Sequence, residues 1–183
     1  MKKSTLLVGF ALSVTLAHSA LAADKPALLQ RSAALQCADR KIELKGACYK
    51  EDGYPGLSCT SLRFIISDKA SGRELGGQAF KPAPIQTGDS YPIVAEKVGE
   101  VTCVETEAKE KFIVATVNNG GNCSRCEWHE LYSWDGSLLG SSLDAKKNPA
   151  IGAALQATES KKARIIGQGG LNSVRKEPVQ DGH

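Results

Sequence analysis

Six cysteines behind a short basic and apolar leader constrain this chain more than any other feature. They are Cys37, Cys48, Cys59, Cys103, Cys123 and Cys126. Residues 1–22 read as a removable signal peptide. Lys2 and Lys3 give the positive start, Leu6 to Ala17 the apolar stretch, and Ala20-Leu21-Ala22 an A-x-A cleavage site. The apolar stretch is too short to span a bilayer core of about 30 Å, and no later segment reaches about 18 consecutive apolar residues. The mature chain, from Ala23, is expected to be exported, with a bacterial periplasm as its compartment. There an even cysteine count reads as a disulfide framework. Cys123–Cys126 is expected as a tight local bridge. The other four leave the connectivity open, with Cys37–Cys48 and Cys59–Cys103 as one reading.

Charge removes two classes of partner. The chain has 23 Lys+Arg and 20 Asp+Glu, and the leader holds two of the lysines, so the mature balance is 21 − 20 = +1. Nucleic-acid binders need a clustered basic surface, and anionic membranes a polybasic segment. Neither is expected here.

Hydrophobic periodicity predicts a mainly β fold. Leu62, Phe64 and Ile66 alternate with polar neighbours, residues 93–106 are rich in β-branched residues, and Phe112 to Val117 reads as a strand. Lys41 to Leu44 alternates weakly. Asp135-Gly136 predicts a two-residue hairpin turn that pairs Trp134 with Ser137 and Tyr132 with Leu139. Trp128, Tyr132 and Trp134 then share one strand face. Pro26 to Leu35 is read as a short helix, and a second starts at Asn148-Pro149. Residues 76–92, with three prolines and three glycines, are read as an irregular loop. The sum is an antiparallel sandwich or partly open barrel, disulfide-stapled, with one or two short helices. The β-rich domain is placed at 23–167 and a flexible tail at 168–183.

Chemical motifs are sparse. Cys123-Ser124-Arg125-Cys126 admits three readings: a disulfide loop at a hairpin tip, a redox pair, or zinc ligation with His129 and either Cys103 or Glu130. The helix N-terminus and βαβ context of a redox dithiol are missing. His129 is the one mature histidine before His183, so a histidine triad would need it, and no acid is placed to orient it. Glu96, Glu100, Glu105, Glu107 and Glu110 alternate with lysines as a solvated face does, rather than as the paired carboxylates of a glycosidase. No phosphate-binding loop is present. The chain is accordingly expected to be a non-enzyme without cofactor or metal.

What remains is binding. Ser71-Gly72-Arg73 falls in a predicted hairpin tip and resembles, over those three residues, the Ser-Gly loop that periplasmic lysozyme inhibitors present to the acidic cleft of their target. The resemblance implies a protein partner blocked sterically. Independently of it, an exposed arginine can grip a carboxylate bidentately. The candidate contacts are Ser71, Arg73, the Asn118–Arg125 loop with Asn119 and Arg125, and Trp134. The partner is read as an envelope enzyme or toxin, or a cell-wall glycan. The alternatives are a structural envelope component and the zinc or redox protein.

Overall fold

A computed structural model of the chain describes residues 25–86 and 88–177. The leader expected over 1–22 lies outside the described residues, as does the end of the expected tail, 178–183. Strands β1 (Leu29–Cys37), β2 (Arg40–Lys50), β3 (Leu57–Asp68) and β4 (Glu74–Phe80) form one antiparallel sheet in that order. Strands β5 (Lys97–Glu105), β6 (Lys111–Asn118), β7 (Glu127–Ser133), β8 (Leu138–Ser141) and β9 (Arg164–Gly170) form a second, in the order β8-β7-β6-β5-β9. A helix, α1 (Pro149–Glu159), and a 3-10 turn over Asn172–Arg175 complete the described elements. The fold is mainly β with two antiparallel sheets, and it is not a closed barrel.

Side-chain alternation builds the shared core. Ile42, Leu44, Leu62, Phe64 and Ile66 of the first sheet meet Val101, Ile113, Ala115, Val117 and Tyr132 of the second, all buried. Their neighbours Lys41, Lys45 and Arg63 face solvent, as a two-residue period requires. A smaller cluster lies on the outer face of the second sheet. There Ile151 and Leu155 of α1 pack on Leu131, with Phe112, Val114 and Ala154 around them.

Several local expectations are corrected. Residues 26–35 are not a helix. Leu29–Cys37 is a strand because its register with β2 turns Ala33, Leu35 and Cys37 inward, and this pairing overrides the helix propensity of Ala and Leu. The start of the 76–92 loop is a strand, β4, which tolerates Gly76 and Gly77 at an irregular step of its register. The tail expected from 168 is structured as far as residue 175. Strand β9 runs to Gly170, and Leu171 and Val174 plug the core at 0% and 1% exposure.

The disulfides are Cys37–Cys103, Cys48–Cys59 and Cys123–Cys126. The local bridge is as expected, but the other pairing is not. Cys37 sits opposite Arg40 at one end of the β1–β2 hairpin, and Cys48 opposite Leu29 at the other. Eight strand steps separate them, about 26 Å. Cys48 instead faces Cys59 across β2–β3, and Cys37 reaches Cys103 in the other sheet.

The chain-entropy view ranks these links by loop length. Cys37–Cys103 closes 66 residues and Cys48–Cys59 closes 11. Paired alanine substitution should therefore cost about 4 kcal/mol for the first and about 3 kcal/mol for the second. Urea unfolding of the two double variants checks this, and equal losses would contradict the ranking.

Candidate functional site

The predicted contact residues fall at two poles of the sandwich. Strand β6 runs between them: Lys111 lies at the Trp134 end and Asn118 at the Cys123–Cys126 end. Its eight residues span about 23 Å. Ser71, Arg73 and Trp134 share the first pole, and Asn119 and Arg125 the second.

The first pole is made by three turns. Trp134 does not belong to a two-residue turn. The amide of Ser133 donates to the Ser137 carbonyl (2.9 Å) and Tyr132 pairs with Leu138, so the loop is Trp134-Asp135-Gly136. The cause is local. Asp135 accepts hydrogen bonds from the Ser133 hydroxyl and the Ser137 amide, and Gly136 takes the left-handed φ of +91° that closes a three-residue hairpin. Trp134 is half-buried and, like Trp128, packs against the edge of the core that holds Tyr132. Its indole N–H donates to Asp39 (3.1 Å), and Arg40 and Lys111 each lie 5.3 Å from its ring centroid. Arg40 Nε donates to the Trp134 carbonyl (2.9 Å), and Nη1 pairs with Asp39 (2.7 Å) and Asp68 (3.5 Å). Arg40 thus ties the β1–β2 turn, the β3–β4 turn and the β7–β8 turn together. A Cβ at Gly76 would stand 2.3 Å from the Gly136 carbonyl oxygen, which shows how closely the last two turns approach.

The Ser71–Arg73 tip is held by its base. Asp68 accepts from the Ser71 hydroxyl (2.7 Å) and amide (2.8 Å), while its own amide and carbonyl bond Arg73 and Gly72 at 2.9 Å each. Gly72 supplies a φ of +69°. Ser71 is therefore a turn former rather than a free contact. Arg73 is exposed, and its side chain makes no hydrogen bond or ion pair among the described residues. The bonds from Ser71, with help from Arg40, hold the Asp68 carboxyl below its ordinary value of 3.8.

At the second pole the 119–126 loop is closed by its disulfide and by the Asn119 amide on the Cys126 carbonyl (3.0 Å). Asn119 turns its side-chain oxygen to the Gly121 amide (3.1 Å), so it too shapes its loop. Arg125 is exposed beside Lys146 and Lys147 on a shallow groove. Cys123 and Cys126 are bonded to each other, so the zinc reading lacks its two thiolates in this state.

The remaining sequence candidates take structural positions. Trp128 and Tyr132 face the core. His129 sits half-buried on the outer face, with Nδ1 3.3 Å from the Thr116 hydroxyl. Glu105 pairs with Arg164 (3.0 Å) and Lys109 (3.2 Å), which lowers its carboxyl, and Glu107 pairs with Lys162 (2.9 Å). Sequence reasoning missed Arg40, Asp39, Asp68 and Lys111, whose roles depend on contacts between distant turns. It also missed Glu130 as a buried group. Its carboxylate accepts from Tyr132 (2.7 Å), Gln78 (3.0 Å) and Trp128 (3.4 Å), and burial with this charge pushes the Tyr132 phenol up.

Comparison with known proteins adds no relative: no family model, curated protein or solved structure matches this chain.

A carboxyl with a lowered pKa stabilises the fold above its ordinary value, and that contribution fades as pH falls through the lowered one. The Ser71 amide resonance should therefore titrate below pH 3.8. Asp68→Ala should speed Ser71 amide exchange about tenfold at neutral pH, the scale of one charge-assisted bond. Unchanged exchange would show that the tip is held by its backbone alone.

Proposed function

We propose that this chain is an exported binding protein that blocks an envelope hydrolase or toxin by seating the Ser71–Arg73 tip in an acid-lined cleft. One observation carries this reading: Arg73 is exposed, without a carboxylate partner among the described residues, on a turn fixed from below by Asp68. A fixed turn loses little entropy on docking. A guanidinium at its tip matches a carboxylate pair by charge and by fork geometry. Arg40, Lys69 and Lys111 are further cations at this pole, which also carries Asp39, Asp68, Glu74 and Asp135. Trp134, pinned by Arg40 and Asp39, would form a supporting wall beside the tip. The three disulfides, among them a link between the sheets, support work in an oxidising compartment such as the periplasm. No helix among the described residues is long and apolar enough to cross a membrane.

The test is inhibition. The oxidised full chain is titrated against a panel of purified peptidoglycan glycosidases with paired catalytic carboxylates, and against matched hydrolases without them. Inhibition should fall on the first group. Arg73→Ala should weaken it at least about tenfold with an unchanged thermal midpoint, as for a central charged anchor. Arg73→Lys should recover part of the loss. Inhibition that Arg73→Ala leaves intact, or none across the acid-lined group, would sink this reading.

A further inference from the structure

The second pole holds a cavity that the tip does not need. Arg175, at the end of the 3-10 turn, sends Nη2 to the carbonyls of Val94 (2.7 Å) and Glu96 (2.9 Å). No carboxylate bonds its guanidinium among the described residues, and Nε and Nη1 have no protein acceptor there. Arg175 is part-buried, and that burial opposes its charge. Glu96 and Tyr54 act on it through space and offset that burial only in part.

The same arginine lines a cavity of about 130 Å³. The cavity floor is apolar: Leu44, Val98, Leu171 and Val174 are each at most 2% exposed. Its rim carries Lys97, the Tyr54 ring and the Asn172 amide, and among the described residues no acidic side chain lines it. The cavity therefore pairs two cations with a greasy floor. An inorganic anion would satisfy the cations but make no apolar contact with the cavity lining. A neutral apolar molecule would fill the floor and leave the guanidinium without a counter-charge. A carboxylate on an apolar group satisfies both. The volume suits a group near the size of benzene, which fills a cavity of about 150 Å³, with the carboxylate at the rim.

We propose that this cavity binds a small carboxylate borne on an apolar group, with a free N–H of Arg175 as its anchor and Lys97 as the second cation. The ligand is either a free acid of about seven to nine heavy atoms or the C-terminal residue of a peptide. Both present the same chemistry. The proposal is independent of the Arg73 reading, because the two poles share no residue.

Isotope-labelled, oxidised full chain is titrated with 3-methylbutanoate and with benzoate, and separately with their amides, following the methyls of Val98, Leu171 and Val174. The carboxylates should shift these methyls with saturation, and the amides should bind at least about tenfold more weakly. Lys97→Met, at a rim position, should weaken the carboxylates severalfold with an unchanged thermal midpoint. Arg175→Lys should weaken them further if the fold survives, and the Lys97 variant keeps the test decisive if it does not. Peptides ending in leucine, with a free or an amidated C-terminus, then assign the source. Saturation by the free acids alone means a small-molecule site, and saturation by the free-terminus peptide means terminal-residue capture. Either supports the proposal. Equal shifts by acid and amide, equal effects of inorganic phosphate, or no saturable shift would overturn it. None of these outcomes bears on inhibition through Arg73.

Discussion

The bond between Cys37 and Cys103 is the one covalent link between the two sheets among the described residues. It joins the end of β1 to the middle of the second sheet, next to a close approach of backbones. A Cβ on Gly167 of β9 would lie 2.8 Å from Cys37 Sγ and 2.9 Å from the Gln36 carbonyl oxygen. Only glycine fits there, so β9 can run against β1 and the seam closes on that side. The β1–β2 turn starts one residue beyond Cys37. Fixing Cys37 on the second sheet brings Asp39 and Arg40 to Trp134. The polar pole is thus a consequence of where this bond falls.

The opposite side of the sandwich is closed differently. There β4 meets β7 and the β7–β8 turn through the Gly76–Gly136 approach and through Glu130. Glu130 is 6% exposed and has no cation among its hydrogen-bond partners. Three neutral donors from two sheets converge on it, so its charge is solvated by protein dipoles instead of water. Such an arrangement adds little net stability over an apolar filling, but losing one donor leaves a buried charge short of a partner. The network therefore constrains register. Sliding β4 by one residue would turn Gln78 outward and put Ala79 in its place.

Much of the sandwich was legible because its signals are local. Leu62-Phe64-Ile66 and Ile113-Ala115-Val117 state their inner faces through period two, Pro149 marks the start of α1, and Cys123 and Cys126 stand close enough to pair on spacing alone. What was misread depends on contacts that spacing does not encode. Ala33 and Leu35 fit a helix until β2 is laid beside them. Leu171 and Val174 look too few to anchor a tail, yet at three-residue spacing they fill the open end of the sandwich. That apolar pair was the available signal. The site divides in the same way. Arg73 was found because a turn tripeptide exposes it, whereas Arg40 and Arg175 gain meaning only from carbonyls 94 and 81 positions away.

The near-neutral charge of the chain conceals this organisation. Along the outer strand faces many cations are consumed locally, as in Lys41–Glu43, Arg63–Glu74, Lys109–Glu105 and Arg164–Glu105. Among the described residues, cations without such partners lie at both ends: Lys69 and Arg73 at one, Lys97, Arg125 and Arg175 at the other. Exposed pairs of this kind add little stability. Their effect is to cancel charge along the flanks. The poles lie about 23 Å apart, beyond the screening length of about 8 Å at physiological salt. A core cross-linked between its sheets gives little room for a second packing arrangement to connect them. Occupancy of one pole should therefore leave the affinity of the other unchanged, since coupling requires a bistable element and the β6–β7 hairpin between them is a regular ladder.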